Sequence, residues 1–174
     1  VILWRDGASR AKRQADGLGF VEGAHWSESV VGTNAIGTAL AEEAPVQLFS
    51  AEHFETSQHP WYCSAVPIHD PSDGQLLGVV DISGPALTLH PTVQSLVTTA
   101  VRLAEARLLL GHQERLGGLR DRYSPMLSAS REPALIVDDD GWVRLALDPS
   151  LPALAPRFQL TYALDDGHVV LDVL

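Results

Sequence analysis

Two runs of alternating side chains, residues 61–69 and 76–83, stand on either side of Asp70-Pro71-Ser72-Asp73-Gly74. In the first run Tyr62, Ser64, Val66 and Ile68 alternate with Trp61, Cys63 and Ala65. A repeat of two places successive side chains on opposite faces of a strand. Pro71 presets a turn φ of about −65°, and Asp-Gly supplies the reversal. An antiparallel hairpin is therefore expected. Residues 46–50, with Val46 and Leu48 set against Gln47 and Phe49, supply a further strand.

The remaining pattern is helical or punctuating. Val93, Leu96, Val97, Ala100, Leu103, Ala104, Leu108 and Leu110 recur at three and four, which predicts a helix over 91–116 with Pro91 in its first turn. Gly117-Gly118 is expected to stop or bend it. Its apolar stripe is wider than one face. Either one side covers the sheet while the other meets a second subunit, or the helix is buried within the monomer. A shorter helix is expected over 33–43, ended by Pro45, after a single helical turn at 27–31. Residues 1–4 read as a short strand before the Asp6-Gly7 turn, and 9–19, polar and punctuated by glycine, as a loop.

Beyond 116 the pattern changes. Residues 117–130 read as a linker or a short further helix. Residues 134–137 and 142–147 flank Asp138-Asp139-Asp140-Gly141, and 159–164 and 169–173 flank Asp165-Asp166-Gly167. Both read as hairpins. Residues 131–174 thus form a small β-rich unit, the start of a further module.

A chain of 174 residues is long enough for one domain and a small appendage. The formal charge of −10 opposes a phosphate backbone, so direct nucleic-acid contact from this segment is not expected. One cysteine excludes an intrachain disulfide framework and suits a reducing cytoplasm. No run approaches the roughly 18–20 apolar residues of a membrane span. The chain begins at Val1 rather than Met and reads as a fragment or a processed chain.

The segment 26–40 joins an indole, Trp26, to a glycine hinge, Gly32, and to a helix start, Thr33-Asn34, followed by small residues. Thr33 or Asn34 can cap the helix. Gly37 inside the helix costs roughly 1 kcal/mol against Ala, which calls for a packing or ligand reason. Three segments follow in order: AEHF at 51–54, HPWYCSAVPIHDP at 59–71 and LLGVVDISG at 76–84. Together the four resemble the GAF domain of the acetoin-catabolism type of activator, a branch of the sigma-54-dependent transcription regulators, and related actinobacterial GAF regulators. The resemblance covers residues 1–116.

That resemblance implies an α+β GAF (PAS-like) fold, a twisted antiparallel sheet with helices on one face, here followed by the small β-rich C-terminal unit. It implies a non-catalytic cytoplasmic sensor of an unknown small organic ligand, without cofactor, working as a homodimer through the helix 91–116. The family's opening helix is expected to be missing or rearranged, because the chain begins at what reads as the first strand. No GxxxxGK[ST] phosphate loop is present, so the family's ATPase module is not part of this chain.

The candidate pocket residues are Trp26, Thr33, Asn34, His53, Trp61, Cys63, Asp81 and Ser83. Trp26 and Trp61 can stack on an apolar ligand or fill the core. Asn34 can meet a carbonyl or carboxylate, or cap the helix. His53 can be a ligand contact or a hydrogen-bonded structural histidine. Asp81, set in an apolar strand, must be paired, solvated or neutral, and can accept from a ligand hydroxyl or amine. Cys63 reads as a buried small hydrophobe. His25, His53, His59 and His69 lack zinc-site spacing, so no metal is expected. Two other readings remain: a ligand-free dimerisation module that transmits through the long helix, and an enzyme using Cys63 or a Ser64–His53 pair.

Overall fold

A computed structural model of the chain describes residues 1–129, 135–137, 143–146, 160–165 and 168–173. It divides into two compact units, Val1–Leu110 and Gly111–Leu174. The first holds α1 (Ser9–Gly17), α2 (Glu28–Val31), α3 (Ala35–Glu42), β1 (Val46–Phe49), β2 (Trp61–His69), β3 (Leu76–Pro85) and the start of α4 (Val93–Ala129).

The three strands form one antiparallel sheet in the order β1-β2-β3. The β2–β3 hairpin forms as its alternation requires. Its loop is closed by Asp70 Oδ1, which accepts from the Ser72 amide at 2.8 Å, and by Asp73 Oδ1, which accepts from the Gln75 amide at 2.8 Å. A bulge between Ile68 and His69 ends the regular register.

The register sorts the side chains. Val46 and Asp81 lie opposite Ala65, and Leu48 and Ser83 lie opposite Cys63, so these residues share one face. That face packs on α3, where Ala35, Ala39 and Ala65 form a buried cluster with Val46, Leu48, Cys63 and Val79 against it. Alanine on both sides lets helix and sheet approach closely. On the reverse face Val66 packs with Val97 and Val101 of α4, beside Ile68, Ile82 and Val93. Truncating Val97, wholly buried there, would cost roughly 2–3 kcal/mol in lost methyls and cavity. The sheet therefore carries α4 on one face and α3 on the other.

Three local expectations are corrected. Residues 9–19 are not a loop: Ser9–Gly17 is helical. Arg10, Ala11, Lys12, Arg13, Gln14 and Ala15 are good helix formers, and polarity there marks an exposed helix rather than an irregular segment. Residues 1–4 form no strand. Only Ile2 pairs, its amide donating to Ala24 at 2.9 Å and its carbonyl accepting from Gly23 at 2.8 Å. A single paired residue makes no ladder. Finally, Gly117-Gly118 does not stop α4, which runs on to Ala129. A Cβ at either glycine would meet nothing within 4 Å, so the pair weakens the helix without a packing contact that would break it.

In the second unit β4 (Leu135–Val137) pairs with β5 (Val143–Ala146), and β6 (Leu160–Asp165) with β7 (His168–Val173), both antiparallel. The two antiparallel pairings expected from the sequence are present, while Asp138-Asp139-Asp140-Gly141 and Asp166-Gly167 lie outside the described residues.

Candidate functional site

Asn34 is the start of the site region and is fully committed to structure. Its Oδ1 accepts from the Gly37 amide at 2.9 Å and its Nδ2 donates to the Gly32 carbonyl at 2.8 Å. It caps α3, one of the two roles open to it. Gly32, at φ 75°, makes the turn into it, and Phe54 lies where a Gly32 side chain would stand. Thr33 holds the loop after β1 through its carbonyl, which accepts from the Phe54 amide at 2.9 Å, while its side chain is exposed. Trp26 stands edge-on to Phe20, with ring centroids 5.0 Å apart.

His53 is buried at 2 % exposure. Its Nδ1 lies 3.0 Å from the Ser50 carbonyl, which can only accept, so Nδ1 carries the proton. Nε2 is buried with no hydrogen-bond partner among the described residues. Ser64 Oγ is equally buried and unpartnered, so the two do not form a nucleophile–base pair. Ser64 also stands on the opposite sheet face from Cys63, as neighbours in a strand must.

Cys63, Asp81 and Ser83 come together. Ser83 Oγ lies 3.1 Å from Cys63 Sγ and hydrogen-bonds Asp81 Oδ2. A hydroxyl has one proton to give. Donated to the carboxylate, it leaves the Ser83 oxygen to accept from the Cys63 thiol. The chain therefore runs Cys63 S–H to Ser83 O–H to Asp81. Asp81 Oδ1 is buried and unpartnered among the described residues. Burial pushes the Asp81 carboxyl up to about 7 against a counteracting Ser83 hydrogen bond. Burial, and then the Asp81 charge, push the Cys63 thiol up to about 12. Such a thiol is not a nucleophile at neutral pH. Trp61, buried at 9 % exposure, belongs to the same sheet face two residues before Cys63.

Of the eight candidates, then, hydrogen bonds join Cys63, Asp81 and Ser83. Trp61 shares their face. Asn34 and Thr33 fix the entry to α3, whereas Trp26 meets Phe20 and His53 meets the Ser50 carbonyl. Among the described residues no three His, Cys, Asp or Glu side chains gather as a metal would need. His59 Nε2 instead faces the His53 carbonyl at 3.3 Å.

Reading from the sequence did not separate the two stripes of α4. Val93, Val97 and Val101 face the sheet, whereas Leu96, Leu103 and Leu110 are 61 %, 62 % and 58 % exposed. Their strict spacing of seven, against steps of four for the valines, is the signal that distinguishes them.

A three-stranded antiparallel sheet clasped between a short capped helix and a long one is an α+β architecture. The GAF domain family matches residues 1–108, and the chain belongs to that family. It is 50 % identical over 107 residues to an uncharacterized 47.3 kDa protein in the thcA 5′ region of Rhodococcus erythropolis, covering 62 % of this chain and 24 % of that protein. It is 43 % identical over 130 residues to the acetoin dehydrogenase operon transcriptional activator AcoR of Bacillus subtilis, covering 75 % of this chain and 21 % of the activator. The chain thus spans less than a quarter of these relatives. In fold it resembles the crystal structure of the E. coli DhaR(N)–DhaL complex, with a TM-score of 0.67 at 22 % identity over 83 % of this chain and 50 % of that chain. No helix among the described residues is long and apolar enough to cross a membrane.

Proposed function

We propose that this chain is the non-catalytic sensor domain of a cytoplasmic transcription regulator, and that it binds a small organic molecule on the α3-facing side of its sheet. The observation that carries this reading is the Cys63–Ser83–Asp81 cluster, whose buried carboxylate oxygen lacks a partner among the described residues. A protein leaves such an atom at a cost of about 1–3 kcal/mol or more, and a ligand would recover it. Kinship to activators supports a regulatory role, and the unreactive Cys63 thiol and the separated Ser64 and His53 support the absence of catalysis.

The reading includes a homodimer. Leu96, Leu103 and Leu110 form an exposed stripe along α4 with the spacing of a helix-to-helix seam, and a second copy covers it. Signal then passes along α4. Direct nucleic-acid contact is left to other parts of the regulator, consistent with the charge of −10.

A thermal-shift screen of short-chain diols, ketones, acids and aromatics tests the sensor. It includes acetoin, because the Bacillus subtilis relative is named for an acetoin dehydrogenase operon. A saturable rise in Tm is expected, since a ligand that binds only the folded state stabilises it. No shift across the panel would leave the ligand-free dimerisation module as the better reading. Light scattering tests the dimer: the chain is expected at twice its monomer mass, and Leu103→Glu at the monomer mass. A monomeric parent chain removes the dimer.

A further inference from the structure

We infer that Asp81 Oδ1 is the specificity-determining acceptor of the site, so that the ligand must present a hydrogen-bond donor, an uncharged hydroxyl, to it. This rests on the sensor reading above and narrows it to a ligand chemistry. Every other polar atom of the cluster is already used. Ser83 Oγ gives its proton to Asp81 Oδ2, which leaves its oxygen to receive the proton of the Cys63 thiol. Asp81 Oδ1 alone remains, shielded from solvent and without a donor among the described residues.

The surroundings decide against an alternative in which the ligand brings an acceptor. Ala65, opposite Asp81, is wholly buried, and Ala35, Ala39, Val46, Leu48 and Val79 pack about it. None of these side chains can donate. A ligand carbonyl brought to Oδ1 would face a second oxygen with no proton between them while the carboxylate is ionised. A hydroxyl supplies that proton and lets the rest of the ligand stay apolar. A charged amine would satisfy Oδ1 equally, but its remaining N–H groups would then be buried against the alanine and valine layer with no acceptors.

The polarity can be inverted without changing the shape. In Asp81→Asn the amide oxygen still accepts from Ser83, and the amide nitrogen takes the place of Oδ1 as a donor. The matched probes are 2,3-butanediol, which donates, and 2,3-butanedione, which only accepts. Affinities of both are measured by titration calorimetry at pH 8, where the Asp81 carboxyl is ionised. The parent chain is expected to prefer the diol by about tenfold or more, the usual worth of a hydrogen bond to a charged group. Asp81→Asn is expected to reverse or abolish that preference while keeping the parent far-UV spectrum. Equal affinities in the parent chain, or a diol preference untouched in Asp81→Asn, overturn the inference and leave the sensor reading standing. Binding of neither probe, together with a blank thermal-shift panel, removes both. If Asp81→Asn does not fold, the parent chain is titrated again at pH 5, where the Asp81 carboxyl is protonated and can itself donate: the diol preference is expected to shrink, and a preference unchanged from pH 8 overturns the inference.

Discussion

The amide nitrogen of Glu28 lies 2.7 Å from where a Cβ on Gly37 would stand. The start of α2 and the first turn of α3 are therefore in backbone contact, and the Glu28 carboxylate adds a hydrogen bond from Thr38. An interior helical glycine costs roughly 1 kcal/mol against alanine. Here it is kept because no side chain fits between two backbones. Gly37→Ala gains the propensity term but must push α2 away from α3, a strain of typically 1–3 kcal/mol. A net loss of about 1 kcal/mol or more is expected, seen as a Tm lower by several degrees in a thermal melt. An unchanged or raised Tm would show that α2 moves aside freely.

The same substitution at Gly117 or Gly118 has the opposite sign. A Cβ at either position meets nothing within 4 Å, so only the propensity term remains. Gly117→Ala and Gly118→Ala should each stabilise that stretch of α4 by about 1 kcal/mol. Amide exchange in the following turn should slow roughly fivefold for each, the factor that 1 kcal/mol implies for local opening. Exchange unchanged in the double variant would mean that opening there is governed by something other than the two glycines.

The contrast between these glycines marks what was legible in the sequence. The Trp61–His69 and Leu76–Pro85 hairpin, the α3 cap and the antiparallel pairing of β4 with β5 and of β6 with β7 follow from local chemistry, and local chemistry is written in order along the chain. Asp81 could be singled out because a charge inside an apolar strand must be accounted for. Its link to Cys63 through Ser83 could not, because it depends on which residues of β2 and β3 stand opposite each other. The role of Gly37 was hidden for the same reason: its clash partner, Glu28, is on another element. The polarity of residues 9–17 misled in a simpler way, since an exposed helix needs no apolar stripe.

Cys63 gives a test that separates a structural thiol from a reactive one. With its ionisation pushed up to about 12, the thiolate fraction at pH 8 is about one in ten thousand, against roughly a quarter for a free thiol near 8.5. Labelling of the folded chain by a disulfide reagent at pH 8 should therefore be slower than that of the unfolded chain by a factor on the order of a thousand or more. Comparable rates in the two states would revive Cys63 as a chemical centre.

Asp81 should leave a signature in the dependence of stability on pH. Burial raises its carboxyl from the ordinary 3.8 to about 7 in the folded chain. Between those values the unfolded chain has lost the proton that the folded chain still holds. Stability contributed by the protonated carboxyl is thus fully present below about pH 4, is lost as pH rises through that window, and levels off above about 7. The slope is at most about 1.4 kcal/mol per pH unit, so the total is a few kcal/mol. Asp81→Asn removes the titration while keeping the shape. Denaturant unfolding of both chains from pH 4 to 8 should show the variant gaining on the parent steadily to about pH 7 and then holding a constant margin. Parallel curves would mean that the folded chain titrates Asp81 as the unfolded chain does, and that its carboxylate is solvated rather than held for a ligand.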